Sequence, residues 1–362
     1  MSVRASIVLL LLVLNSSFAQ DLTRRPELVF EGLWSSDILL TDGRLSYNQV
    51  ATNFEWTAGL AYGSIDLEYR PFRAFDFLTR PTELHRDRYS ADVELRPRVA
   101  EYLMLLLSGN YYQGFSDYRT AWLDEYYRQS YEGITGYRKA HPQGYSFGAG
   151  GRWEYLADRG HLEAAMSYAE DDVAPSYEAV PNPDFHVVRA PGSINKVGAS
   201  LSFENVIAPF LRLLNEIAVS DSSERNPRLS YQFSANIAAG GRWVFRPHAG
   251  YAREEPTFTA WYGGAAVEHD VTEALKIFVR AAYYRDTGEI LDSLSISAAP
   301  PPLETYQFGF GVRYSWSAAT LQVYVAPYLL RYENFEQGTR PFTNLYRDRN
   351  WGIVQLAFSM QF

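Results

Sequence analysis

The sequence predicts an all-β fold, a transmembrane antiparallel up-and-down β-barrel of about 14 strands or, alternatively, about 16. Three observations carry that reading. Apolar residues recur at every second position in segment after segment, the period of a strand with one apolar and one polar side. Aromatic residues make up 15 % of the chain, with 27 Tyr and 8 Trp, while hydrophobic content is an ordinary 47 %. That combination suits a barrel in which half of every strand is polar and aromatics gather at two interfaces. The one long apolar run lies at the start, and no later segment approaches the roughly 20 apolar residues a membrane helix requires.

The chain opens with Arg4, an apolar run from Ile7 to Leu14, and the small residues Ser17 and Ala19 around Phe18. This is the layout of a cleaved secretory signal over residues 1–20. Residues 21–52 alternate poorly: Leu28-Val29-Phe30 and Ile38-Leu39-Leu40 flank Gly32 and Ser35-Ser36-Asp37. They are expected to form a periplasmic or lumen-inserted segment, or an extra strand. The barrel proper is expected over residues 53–362.

From Asn53 the pattern repeats as strand, tight polar turn, strand, longer loop. Phe54, Trp56, Ala58, Leu60 and Tyr62 share one face, and the parity then shifts to Ile65, Leu67 and Tyr69. Such a shift predicts a bulge near Gly63-Ser64. Tyr89, Ala91, Val93 and Leu95 oppose Asp92, Glu94 and Arg96, and Leu103, Leu105 and Leu107 follow a short turn. Residues 113–143 read as a long loop rich in Tyr and charge, and the Tyr-rich stretch Tyr111–Tyr137 suits either an interfacial girdle and an outer loop or stacking on sugars. Later faces are marked by Phe147, Ala149 and Trp153; Leu162, Ala164 and Met166; and Val197, Ala199 and Leu201. Asn215 interrupts the next face, and Pro247 sits inside a strand where it removes a ladder donor. Val267, Val279, Phe308, Phe310, Val323 and Val325 continue the series, and short turns alternate strictly with long, Pro- and acid-rich loops.

The last residues place Val354, Leu356, Phe358, Met360 and Phe362 on one face and Gln355, Ala357, Ser359 and Gln361 on the other. A bare aromatic strand is an aggregation hazard in a soluble sheet, whereas a barrel uses it to seal against its first strand. This closing strand and the export segment together resemble the outer-membrane β-barrel proteins of Gram-negative-type bacteria, over nearly the whole mature chain as a pattern. The resemblance implies residence in the outer membrane, escort by periplasmic chaperones and insertion by the barrel-assembly machinery. Val354, Leu356, Phe358, Met360 and Phe362 would be the signal presented to that machinery. Residues 21–52 are too short for the plug domain of receptor-type transporters.

If the apolar alternates face lipid, the polar ones line the lumen, because a charge on the lipid face costs roughly 2–4 kcal/mol near the midplane. The lumen-lining candidates are Arg96, Arg152, Glu216, Arg242, Arg246, His248, Glu268, Lys276, Arg280 and Arg313. They form either a water-filled, charge-lined pore or cross-strand salt bridges that fill the interior. Arg242, Arg246, Arg280 and Arg313 would make a basic ladder favouring anionic solutes, unless Glu216 and Glu268 neutralise it. Inward Gly148, Gly150, Gly198, Ser200, Gly309 and Gly311 leave room for a bore, or for Tyr284, Tyr324 and Tyr328 to pack.

Catalytic chemistry has little to stand on. The six His lie in no nucleophile motif and in no metal-ligand spacing, and the Gly-rich stretches sit within strands rather than before a helix. With no Cys, thiolate sites and disulfides are excluded. A formal charge of −9 argues against nucleic-acid binding. The sequence therefore points to a porin-like channel for passive passage of small hydrophilic solutes, not an enzyme, with no cofactor or metal, and with outer-membrane lipids around it. A closed-lumen structural or adhesive barrel and a lipid-modifying enzyme are the alternatives.

Overall fold

The computed structural model describes residues 23–69, 82–116, 118–131, 141–172, 193–223, 225–255, 258–288, 301–333 and 346–361. The expected signal peptide and Phe362 lie outside the described residues. Among the described residues the chain forms sixteen strands and one helix. The first half comprises β1 (Thr23–Trp34), β2 (Ile38–Ala51), β3 (Phe54–Tyr69), β4 (Thr82–Ala100), β5 (Leu103–Gly114), β6 (Gln143–Leu156), β7 (Gly160–Asp172) and β8 (Ile194–Ala208). The second comprises β9 (Leu211–Ser222), β10 (Arg225–Ala239), β11 (Trp243–Glu254), β12 (Phe258–Asp270), β13 (Leu275–Asp286), β14 (Leu303–Trp316), β15 (Ala319–Tyr332) and β16 (Arg349–Met360). Helix α1 (Tyr118–Tyr131) lies in the β5–β6 connection.

Each strand pairs antiparallel with its neighbours in sequence, and β1 pairs with β16, from Glu27↔Ser359 to Trp34↔Gly352, so the sheet closes. The fourteen strands counted from Asn53 are β3 to β16. The other two come from the poorly alternating segment before it, which makes the total sixteen. That segment is hard to read because β1 and β2 carry apolar residues on both sides. Leu28 and Phe30 are exposed on the outside, whereas Ile38 is buried and Leu33 and Leu40 pack with it on the inside.

The same cause explains the parity shift in β3. No bulge exists near Gly63-Ser64, since β3 runs in unbroken register with β2 and with β4. Ile65, Leu67 and Tyr69 instead point into the barrel, where they are almost wholly buried. They meet Leu84 of β4, Leu330 and Tyr332 of β15 and Trp351 of β16 around Trp122 of α1. The region read as a loop over residues 113–143 therefore contains a helix that folds inward. Its low amphipathicity hid it, because several of its polar residues also find partners in the interior.

The barrel has a turn end and a loop end. At the turn end every connection is short, as at residues 52–53, 101–102 and 240–242. At the loop end the strict alternation breaks down: only two or three residues separate Trp34 from Ile38, Ser222 from Arg225 and Glu254 from Phe258. A one-sided length pattern remains, but it is weaker than the sequence suggests.

The outer surface is an aliphatic band between two aromatic belts. Met166 is 65 % exposed, Phe308 62 % and Phe147 61 %, values that a water-facing monomer does not tolerate across a contiguous zone. Loop-end aromatics touch around the rim, with Trp261 and Tyr306 each 5.0 Å from Tyr283 and Tyr62 5.3 Å from Tyr89. At the turn end Tyr47 lies 5.5 Å from Trp56, and Trp316 lies 5.7 Å from Tyr314. Asn215, on this outer face, accepts a 2.8 Å hydrogen bond from Tyr231, so its polarity is locally satisfied. Beyond the belt, β3 and β4 continue outward with polar external residues, and His85 bridges Asp66 at 2.6 Å and Asp87 at 3.2 Å.

Pro247 is accommodated as its chemistry requires. It keeps its pairing with Ala265 of β12, while the β10–β11 ladder skips Pro247 and Arg246. Pro327 repeats the device: it pairs with Gly352 of β16, and the β14–β15 ladder skips it and Ala326. In both cases the missing N–H falls on the skipped side.

The two faces of one strand give the first test. Leu201 of β8 is outward and 45 % exposed, and its neighbour Ser200 faces inward. Leu201→Arg is expected to lower stability in lipid vesicles by about 2–4 kcal/mol, and Ser200→Arg by less than about 1 kcal/mol. Urea unfolding followed by tryptophan fluorescence measures both, and equal losses would contradict the facing assigned here.

Candidate solute pathway in the barrel lumen

Among the described residues three ionic networks and two apolar clusters line the interior, the smaller cluster formed by Phe278, Tyr324, Ala326 and Ile353. The larger one holds α1 against the loop-end wall made by β1–β4, β15 and β16. Trp122 lies 5.2 Å from Tyr69 with the ring planes tilted, Tyr118 donates or accepts a 2.8 Å hydrogen bond with Tyr332, and Tyr118 meets Trp351 edge-on at 6.1 Å. Polar contacts hold the helix too: Arg86 of β4 reaches Glu125 at 3.1 Å, and Arg128 also donates to Glu125. Beneath the helix a cavity of about 530 Å³ is lined by Glu31, Asp42, Arg44, Arg88, Asp92 and Tyr118, among others.

A latch tightens the same end. Asp37, in the β1–β2 hairpin, contacts Arg349 at 3.2 Å and Arg347 at 2.9 Å, and Ser35 donates to it at 2.9 Å. Asp37 and Arg349 side chains are each only 1 % exposed, and Arg349 lies 5.8 Å from the Tyr118 ring. One ion pair thus ties the seam of the barrel to the helix. Burial would by itself raise the Asp37 carboxyl, but the hydrogen bonds and charge of Arg349, with Ser35 and Arg347, outweigh it and hold the group below its ordinary range.

The first lumen network spans β2–β4. Arg44 meets Asp92 at 2.6 Å, Arg88 meets Asp42 at 2.6 Å, and Arg96 sits between Glu94 at 2.7 Å and Glu55 at 3.7 Å. Carboxylates match or exceed cations there. The second, on β6–β9, joins Arg152 to His161 at 3.2 Å and His161 to Glu204 at 3.2 Å, with Arg212 also on Glu204.

The third is built on β11–β15. Glu268, 3 % exposed, accepts from Arg246 at 2.9 Å and Arg313 at 3.2 Å and lies 3.6 Å from Lys276. Lys276 also reaches Asp270 at 3.0 Å, and Arg313 donates to Gln322 at 2.8 Å. Arg280 stands apart over the rings of Phe278 at 4.7 Å and Tyr324 at 5.1 Å. Those rings lie flat on the wall because glycines face them: a Cβ at Gly311 would run into Phe278, and one at Gly309 into Tyr324.

Of the residues singled out from sequence, Arg96 and Arg152 join the first and second networks, and Arg246, Glu268, Lys276, Arg280 and Arg313 converge in the third. Glu216 faces inward on β9 between Ser202 and Gln232. His248 faces inward on β11 against Gly264, 6.5 Å from Tyr262. Arg242 is not on the wall: it is exposed in the turn between β10 and β11. Val354, Leu356, Phe358 and Met360 lie on the outer face of β16, next to Gly32, Phe30 and Leu28 of β1. Sequence reasoning missed α1, Phe278 and the Asp37 latch. Their signals were faint: an apolar residue at an inward position between Lys276 and Arg280, and apolar inward positions clustered at one end of several strands.

No family model matches the sequence, and no curated protein matches it. Among solved structures the chain is similar to a bacterial polysaccharide outer membrane secretin, at 11 % identity and a TM-score of 0.51, over 93 % of this chain and 98 % of that one. It is also similar to CdiB from Acinetobacter baumannii, at 8 % identity and a TM-score of 0.55, over 95 % of this chain and 60 % of CdiB. At these identities the likeness is one of fold. A closed antiparallel barrel with an apolar outer band and two aromatic belts, sharing its fold with outer-membrane barrels, defines the class. The protein has the fold of a transmembrane β-barrel, with an apolar outer band fit to face lipid.

The latch gives an acid-dependent prediction. Because the folded pKa of Asp37 is lowered, its stabilisation is complete above the unfolded carboxylate pKa of about 4 and is lost as pH falls through the folded value. Asp37→Asn should remove that acid-side dependence and cost about 3–5 kcal/mol at neutral pH, the penalty for stranding a buried partner. Thermal unfolding of both proteins across pH 2–7 (about the carboxylate range) checks it; parallel acid limbs would rule the latch out.

Proposed function

We propose that this outer-membrane barrel is a porin-like channel for passive passage of small hydrophilic solutes, narrowed at its loop end by α1. The supporting observation is the wall that α1 leaves uncovered. Across β5–β12 the inward positions include Ser108, Gly148, Ala165, Ser200, Ala218, Ser230, Gly250 and Ala266, which are small and mostly polar or glycine. A sixteen-strand ring is wide for side chains of that size to fill, and barrels of this size class enclose aqueous channels. The helix therefore lies on one wall opposite a lining that keeps volume free. With the short turns on the periplasmic side, α1 narrows the entrance from outside, and the ionic networks lie further along the route.

The closed-lumen reading has the α1 cluster in its favour, because Trp122, Tyr69 and their neighbours pack as a core does. Conductance separates the two. The purified protein in a planar bilayer should give discrete steps, and Trp122→Ala should give larger ones by loosening α1 from the wall. A wild-type barrel with no conductance above background would overturn the channel reading.

A further inference from the structure

We propose that the cation cluster on β11–β14 is an oxyanion-binding site in the lumen, which takes small solutes bearing a carboxylate or phosphate. The inference rests on the channel reading for the identity of the solute, although the site itself is tested separately. Its basis is a charge imbalance. In the β2–β4 network every arginine has its own carboxylate, and Arg96 has two. In the β11–β14 cluster the four cations Arg246, Lys276, Arg280 and Arg313 share the two carboxylates Glu268 and Asp270. A network whose only task was to fill the interior gains by matching its charges, since like charges packed together repel in a medium less polar than water.

The geometry holds the excess charge in a receptive form. Glu268 sits buried at the centre and draws Arg246, Arg313 and Lys276 together. Arg246 spends one Nη1 donor on it and remains 41 % exposed. Arg280 has no carboxylate within ion-pair distance among the described residues; the flat rings of Phe278 and Tyr324 support it from the wall. Its guanidinium is half-buried on the inner face, next to Ala266 of β12 and Gly309 of β14, neither of which carries a side chain that blocks it. A planar fork with unused N–H donors, fixed by stacking and flanked by other cations, matches an oxyanion in shape and charge. In a ring of sixteen strands β13 lies eight strands from β5, so this basic wall faces Ser108, whose cross-strand neighbours are Gly148 and, from the charge-matched β4 network, Glu94.

Equilibrium titration of the refolded, detergent-solubilised barrel with inorganic phosphate and with succinate tests the site, and reversal potentials in a potassium chloride gradient test its effect on permeation. Wild-type protein should bind at least one probe saturably and conduct with a chloride preference. Arg280→Gln should weaken binding by about tenfold, the value of one charge-assisted contact, and shift the reversal potential toward potassium. Arg246→Gln, at the lumen surface, provides the same measurement should Arg280→Gln fail to fold. Binding of succinate alone assigns carboxylate solutes, and of phosphate alone phosphorylated ones. No saturable binding by the wild type, or affinities unchanged in both variants, overturns the site even if the barrel conducts. A barrel that binds but does not conduct leaves the site standing and overturns the channel reading.

Discussion

In hydrocarbon a backbone N–H or C=O has no water to turn to, and every spanning strand must find its partners in its neighbours. The pairing of β1 with β16 is the contact on which the rest of this protein depends, because without it the ring has two open edges in lipid. Closure then divides each strand into an outside that must be apolar and an inside that must take every charge. Two of the prolines inside strands show how little slack the rule leaves. Pro247 and Pro327 each keep one ladder intact and interrupt only the ladder on the side where proline has no donor to offer.

A closed ring also creates an interior larger than ordinary side chains fill, and this chain treats its two sides differently. Along β1–β4, β15 and β16 the loop-end wall is apolar and α1 covers it, held by Trp122, Tyr118 and the Arg349–Asp37 pair. Along β5–β12 small Ser, Gly and Ala positions are interspersed with ionic side chains, and no described helix packs on that wall. On β13–β15 the rings of Phe278 and Tyr324 are pressed flat over Gly311 and Gly309 rather than projected into the bore. The charges follow the same asymmetry: balanced on β2–β4, in excess of positive on β11–β14. Side-chain size and charge together make the lumen directional around its circumference, which a uniform pore would not be.

Much of the barrel is legible in the sequence. Strands such as β4, with Tyr89, Ala91, Val93 and Leu95 against Asp92, Glu94 and Arg96, declare their facing, and most of the charges read as inward are inward. The misreadings occur where an inward position is apolar. Ile65, Leu67 and Tyr69 looked like a bulge because alternation alone assumes that the inside is wet; in fact α1 keeps it dry there. Ile38 and Leu40 blurred β2 for the same reason. Arg242 fell to a different cause, the uncertainty of strand ends, since one residue decides between wall and turn.

Outside, lipid selects residues one at a time, and so the sequence by itself determined the architecture, the facing of most strands and the membrane as surroundings: alternation is a property of neighbours two residues apart. Tertiary structure alone decided what covers the inner apolar patch and which cation meets which carboxylate. Asp37 and Arg349 are separated by nearly the whole chain, and Arg246, Glu268 and Arg313 come from three strands. Such meetings depend on register carried around a closed ring, and no local pattern encodes that register.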